Sequence, residues 1–248
     1  MSSKAILGGL IAAAFLGMGG VAQADPMVAN AGFESSSYSA SSQFGANSFG
    51  QGVTGWTGTG FELYFVGDTQ TTVSAANQYN DPNTYFRPNV TTSPDGGNFV
   101  MLDGDSSFQG GDATTAGSTI SQTINGLTPG LQYNVGFDWA ASELINRTGD
   151  TTERLAVNFG SDAQTTVTVS VPSGSFGGWM QQSFRFTASS ASEVLTFLSF
   201  GTPSGLPPVA LLDGVSVTQS VPEPASWATL VLGLAVLGGT LRTLRRQT

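Results

Sequence analysis

The sequence contains neither cysteine nor histidine. Disulfides, thiolate metal sites, redox motifs and every His-based catalytic triad are therefore excluded, along with the commonest transition-metal ligand. Charge is also scarce, at 10% of the 248 residues, and the single lysine is Lys4. Between residues 25 and 220 the only cations are Arg87, Arg147, Arg154 and Arg185, set against sixteen acidic side chains, a net charge of −12. Such a region repels nucleic acid and anionic lipid and attracts cations. What is abundant is Gly, Ser, Thr, Asn and Gln, so the surface is expected to be hydroxyl- and amide-rich.

Both ends read as targeting segments. Lys4 precedes an apolar run from Ala5 to Val21, and Ala22-Gln23-Ala24 supplies an A-x-A cleavage site. This order of parts predicts a signal peptide over residues 1–24 and a mature start at Asp25. At the far end, Pro222-Glu223-Pro224 stands before an apolar stretch at 225–241, followed by Arg242, Arg245 and Arg246. As a helix that stretch would span about 26 Å, enough to cross a membrane. The arginines would lie on the cytoplasmic side, which leaves the body outside.

The tail at 221–248 resembles the PEP-CTERM protein-sorting domain in its tripeptide, short helix and terminal basic cluster. That resemblance implies an exosortase-type membrane peptidase as partner, anchorage in the inner membrane before cleavage near Pro222-Glu223-Pro224, and a cell-surface or extracellular destination afterwards. An ordinary C-terminal anchor is the alternative.

The remaining residues, 25–220, are long enough for one domain with a substantial core. Period-two apolar alternation recurs along them, clearest at Tyr133, Val135, Phe137 and Trp139. It recurs at Phe61, Leu63 and Phe65; at Phe99 and Met101; at Leu155, Val157 and Phe159; and at Val167, Val169 and Val171. Phe184 and Phe186 follow, then Val194, Leu198 and Phe200 with Leu195 and Phe197 on the opposite face, and finally Val209, Leu211, Val215 and Val217. Around eight strands with Gly, Pro and Asn turns predict an all-β domain, a β-sandwich of jelly-roll type. Two polar stretches, 35–59 and 67–98, are expected as loops over the sandwich or as disordered chain.

Asn30-Ala31-Gly32-Phe33-Glu34, Gly55-Trp56, the run Ser118 to Ile124, Gly126 to Tyr133 and Leu211 to Val217 together resemble the galactose-binding-like jelly rolls. The resemblance implies a mainly non-catalytic, often carbohydrate-binding domain that in many members holds one structural calcium ion. It places Glu34 beside the last strand. In that strand Val209, Leu211, Asp213, Val215 and Val217 share a face unless Gly214 introduces a bulge, so the Asp213 carboxylate is expected to be buried. A buried carboxylate needs a cation, strong donors or a proton. Calcium held by Glu34 and Asp213 is one answer, and backbone amides or a solvent-facing Asp213 beyond a bulge are the others.

Loop aromatics Trp56, Tyr79 and Tyr85 are candidate glycan contacts, since a flat ring face complements the C–H face of a sugar. The residues thus favour an exported, non-catalytic domain that binds extracellular polysaccharide. A structural or adhesive matrix component without a discrete ligand is the alternative, followed by a glycoside hydrolase using two carboxylates drawn from Glu62, Asp68, Glu143 and Glu153.

Overall fold

The computed structural model describes residues 27–38, 42–45, 52–66, 93–105, 117–143, 148–206 and 208–220. The expected signal peptide, the Pro222-Glu223-Pro224 tail with its expected helix, Asp68, Tyr79 and Tyr85 lie outside the described residues. Among the described residues no helix is long and apolar enough to cross a membrane.

The described residues form twelve strands, in chain order: β1 (Ser42–Gly45), β2 (Thr57–Thr59), β3 (Phe61–Phe65), β4 (Phe99–Asp103), β5 (Thr119–Asn125), β6 (Gln132–Glu143), β7 (Thr151–Phe159), β8 (Asp162–Thr165), β9 (Val169–Val171), β10 (Trp179–Thr187), β11 (Ser192–Thr202) and β12 (Pro208–Gln219). They form two sheets, ordered β1-β3-β4-β12-β6-β10 and β2-β5-β11-β7-β8, with β9 also on β7. Every pairing is antiparallel. The chain is therefore all-β, a jelly-roll-type sandwich as its alternating pattern predicts.

The main core lies between the sheets. Alternation sends Tyr133, Val135, Phe137 and Trp139 of β6 and Leu155, Val157 and Phe159 of β7 into it. Phe137 meets Phe197 edge-on at 5.1 Å, and Tyr133 lies 6.5 Å from Phe159. Such aromatic pairs stabilise by about 0.5–1.5 kcal/mol beyond their buried area. The first sheet is apolar on its other face too, where Phe61, Leu63, Phe65, Phe99, Met101, Val209 and Leu211 form a second cluster with Phe176 and Trp179 packed on it. This double burial explains why every residue of β3 and β4 is buried.

Three expectations need correction. First, β12 does not present one apolar face along its length. The register shifts between Asp213 and Ser216, and Gly214 adopts a left-handed φ of 57°. The bulge inserts an extra residue, so Leu211 joins the outer cluster while Val215 and Val217 enter the main core. Second, the strand expected to begin at Val167 begins at Val169, and Val167 is 74% exposed. Third, the polar stretch 35–59 is partly ordered in sheets. It carries β1, β2 and a bridge between Ser36 and Val53.

Candidate functional site

The site begins with the turn at residues 27–35. Asn30 and Phe33 take left-handed φ values of 52° and 57°, and the Phe33 amide donates to Asn30 O at 3.1 Å. Side chains from the sheets hold this turn. Gln122 of β5 accepts from Ala29 N at 2.8 Å and donates to Ala29 O at 2.9 Å and Gly55 O at 3.0 Å. Tyr64 of β3 donates to Phe33 O at 2.9 Å, and the Val215 amide in the β12 bulge donates to Ala31 O at 3.0 Å. The turn is thereby docked on both sheets, and Glu34 follows it.

Glu34 Oε1 accepts from Asn98 N at 2.7 Å. The chain before Asn98 turns through Ser93, Asp95, Gly96 and Gly97, with the Gly96 amide donating to Ser93 O at 3.0 Å and both glycines at φ above 70°. Missing Cβ atoms make room for carboxylates here. A Cβ on Gly32 would lie 2.5 Å from Asp95 Oδ2 and 3.7 Å from Asp213 Oδ1, and one on Gly97 would overlap the Glu34 carboxylate. A Cβ on Gly214 would lie 2.7 Å from Asp138 Oδ2. Asp138 stands directly across from Asp213 on β6.

Asp213 is fully buried, as its pattern predicts. Its Oδ1 accepts from Gly214 N at 2.8 Å, while Oδ2 has no hydrogen-bond partner. Burial pushes this carboxyl up to about 7; the Ser93 hydroxyl and the Gly214 amide oppose the shift, and the charges of Asp95 and Glu34 add to it. Asp138 is also raised, by burial first and then by Asp95, against a hydrogen bond from Gln181. The structure therefore brings Glu34 and Asp213 into one electrostatic neighbourhood and adds Asp95 and Asp138. The sequence reading missed those two: the period-two pattern puts Asp138 on the face opposite Phe137 and Trp139 but does not bring it to Asp213, and Asp95 lies in a polar stretch without a period.

The orphaned Asp213 oxygen is a group that a hard cation would satisfy. Among the described residues, however, no three acidic side chains stand close enough to form a site from carboxylates alone. A bound calcium ion would complete its six to eight oxygens with main-chain carbonyls and water.

Trp56 is 7% exposed and packs as core, 5.2 Å from Phe33 and 6.4 Å from Phe197, with its Nε1 donating to Asn30 O at 3.0 Å. This burial removes it from the expected glycan contacts. Glu62, Glu143 and Glu153 are fully buried, so none of them is presented to a sugar.

The outer face of the second sheet has a different character. Cross-strand register aligns Thr57, Ser121, Thr196 and Asn158 in one row and Thr59, Thr119, Leu198, Ala156 and Thr165 in the next. Phe200 pairs with Arg154, whose guanidinium carbon lies 4.9 Å from the ring centroid, and Thr202 bonds Thr152 at 2.6 Å. No acidic residue stands in these rows.

No protein-family model matches the chain, and no curated protein matches it. Among solved structures, TmCBM61 in complex with β-1,4-galactotriose is similar at 13% identity and TM-score 0.35, over 79% of this chain and 100% of that one. The CBM22-1 xylan-binding domain of Paenibacillus barcinonensis Xyn10C follows at 11% identity and TM-score 0.36, over 79% and 94%. The N-terminal cellulose-binding domain of Cellulomonas fimi β-1,4-glucanase C gives 15% identity and TM-score 0.33, over 80% and 99%. At these scores the likeness assigns neither ligand nor site to this chain.

Proposed function

We propose that this is an exported protein, processed through a PEP-CTERM sorting tail, whose non-catalytic sandwich binds an extracellular polysaccharide. The observation that carries the binding reading is the outer face of the second sheet. In a body of net charge −12 it is hydroxyl-rich and free of acids along its rows, with Phe200 and Arg154 as its aromatic and cationic features. Hydroxyl rows offer donors and acceptors to sugar hydroxyls, and an aromatic ring stacks on a sugar face. Tyr79 and Tyr85 are further proposed contacts. One structural calcium ion held by Glu34 and Asp213 is part of the same reading, and it would tie the N-terminal turn to the last strand.

The processing half predicts a mature chain that starts at Asp25 and ends near Pro222-Glu223-Pro224. Intact-mass analysis of protein from a host with an exosortase-type peptidase tests this, and recovery of chains that retain Arg245 and Arg246 would remove it. The binding half predicts retardation of the body in native gels cast with neutral polysaccharide, weakened by Phe200→Ala and by Tyr85→Ala. Unretarded migration on every polysaccharide tried would leave a matrix protein without a discrete ligand.

A further inference from the structure

At one end of the sandwich the two sheets are stitched together by main-chain hydrogen bonds through Gly104. Its amide donates to Pro208 O of β12 at 2.8 Å, and its carbonyl accepts from Gly201 N of β11 at 3.0 Å. Beside it, Ser118 N donates to Asp103 O at 2.7 Å, Gly117 N to Ser199 O at 2.8 Å and Ser199 N to Ser118 O at 3.0 Å. Two carboxyls are buried at this seam.

Glu153 of β7 is fully buried. Its Oε1 accepts from Arg154 N at 2.9 Å, Phe200 N at 3.1 Å and the Ser199 hydroxyl at 3.2 Å. Its Oε2 has no partner and sits where Cβ atoms on Gly104 and Gly201 would fall. Glu62 of β3 is likewise fully buried, opposite Leu102, and neither of its oxygens makes a hydrogen bond of acceptable geometry. The backbone amides of Thr59 and Thr119 favour its charge only from nearby. The Ser199 hydroxyl links the two neighbourhoods, contacting both Leu102 O at 3.3 Å and Glu153.

Among the described residues no cation offsets these acids. Asp103 of β4 faces both, and Tyr38, itself buried with an unpartnered hydroxyl, faces Glu62 from the N-terminal segment. The Arg154 guanidinium lies over Phe200, and the other described arginine, Arg185, reaches Asn134. Glu143 and Asp105 accept from Gly174 N and Gly205 N at 2.6 Å each.

We propose that Glu62 and Glu153 make this seam a proton-controlled latch: as neutral acids they pack beneath it, and when they ionise the seam between the sheets opens. The packing favours the neutral form, because Glu153 Oε2 and both Glu62 oxygens are buried without a donor, and an ionised carboxylate left so is costly. Burial pushes both carboxyls up to about 8, with Asp103 adding to the shift. An open seam returns each to water near its ordinary value of 4.5. Folded values above unfolded ones mean stability that is complete below about pH 4.5 and is lost as pH rises through about 8. Each carboxyl raises the opening constant by up to about tenfold per pH unit across that window.

Hydrogen exchange at pH 5, 6.5 and 8, corrected for the intrinsic rate of each amide, reads the opening directly. The full chain is expected to lose at least tenfold protection between pH 5 and pH 8 in peptides covering 99–105, 117–125 and 195–202, relative to 133–139. Glu153→Gln and Glu62→Gln, which keep the shape of the neutral acids, should flatten that loss. Equal protection at all three pH values would overturn the latch, as would the same loss in a folded variant carrying both substitutions. So would full restoration at pH 8 by added calcium in Asp213→Asn, which lacks the calcium site proposed at Glu34 and Asp213, since that would assign Glu62 and Glu153 to a metal ion. If a glutamine variant does not fold, the wild-type series alone decides.

Discussion

Gln122 is the polar side chain on which the N-terminal turn depends most. It is buried on β5, and its amide makes three bonds of 2.8 to 3.0 Å to Ala29 N, Ala29 O and Gly55 O. Replacing it by alanine removes all three bonds and strands main-chain groups that have little access to water. With about 0.5–1.5 kcal/mol net per bond, the expected loss is roughly 2–4 kcal/mol. For a domain of this size that is a fall in melting temperature of roughly 5–15 °C. Gln122→Glu separates hydrogen bonding from packing, because it keeps the shape but, when ionised, has no donor for Ala29 O and Gly55 O. It should therefore be as destabilising as alanine at pH 7 and partly recover near pH 4, where the carboxyl protonates. Urea unfolding at both pH values measures this. A loss below about 1 kcal/mol for Gln122→Ala would show that the turn holds without the side chain and would refute the reasoning.

Ser118→Ala should cost about 1–3 kcal/mol, since the buried hydroxyl both accepts from Phe61 N at 2.8 Å and donates to Phe61 O at 2.7 Å; denaturant titration checks it. Calcium at 100 times its dissociation constant should stabilise the wild type by about 2.7 kcal/mol. Asp213→Asn should abolish that shift, and a melting curve unmoved by calcium or chelator in a metal-free preparation would sink the calcium proposal. Gly97→Ala combines a strained left-handed φ of 74° with a Cβ overlapping the Glu34 carboxylate, so it should lower stability by about 1–3 kcal/mol and weaken any calcium shift.

Much of the sandwich was legible because its strands alternate. Tyr133 to Trp139 and Leu155 to Phe159 point every second side chain into one core, and that period survives in the structure without exception. Val194, Leu198 and Phe200 were likewise correctly separated from Leu195 and Phe197, although only packing reveals that the second pair faces the core. Legibility failed where a backbone device or a neighbouring sheet overrides the period. The Gly214 bulge flips the side chains of β12, and no residue pattern distinguishes a bulge glycine from one in a turn. Double burial of β3 and β4 hides behind the same alternation. Trp56 stands beside Gly55 in a polar stretch, so its burial against Phe33 and Phe197 depends on contacts distant in sequence. The acidic site was half legible: Asp213 betrayed itself among valines, while Asp95 and Asp138 join it only when β6 and the Ser93 turn are brought beside β12.

The activity proposed for the body is polysaccharide binding without cleavage. The most direct measurement is affinity electrophoresis of the body, residues 25–220, across graded concentrations of neutral and acidic polysaccharides, with reducing sugar assayed in the same samples. Concentration-dependent retardation on a neutral polymer is expected, with at least a several-fold weakening in Phe200→Ala and no sugar release. Retardation that survives Phe200→Ala and Arg154→Ala unchanged would move the site off the second sheet. Release of sugar, or no retardation on any polymer, would overturn non-catalytic polysaccharide binding.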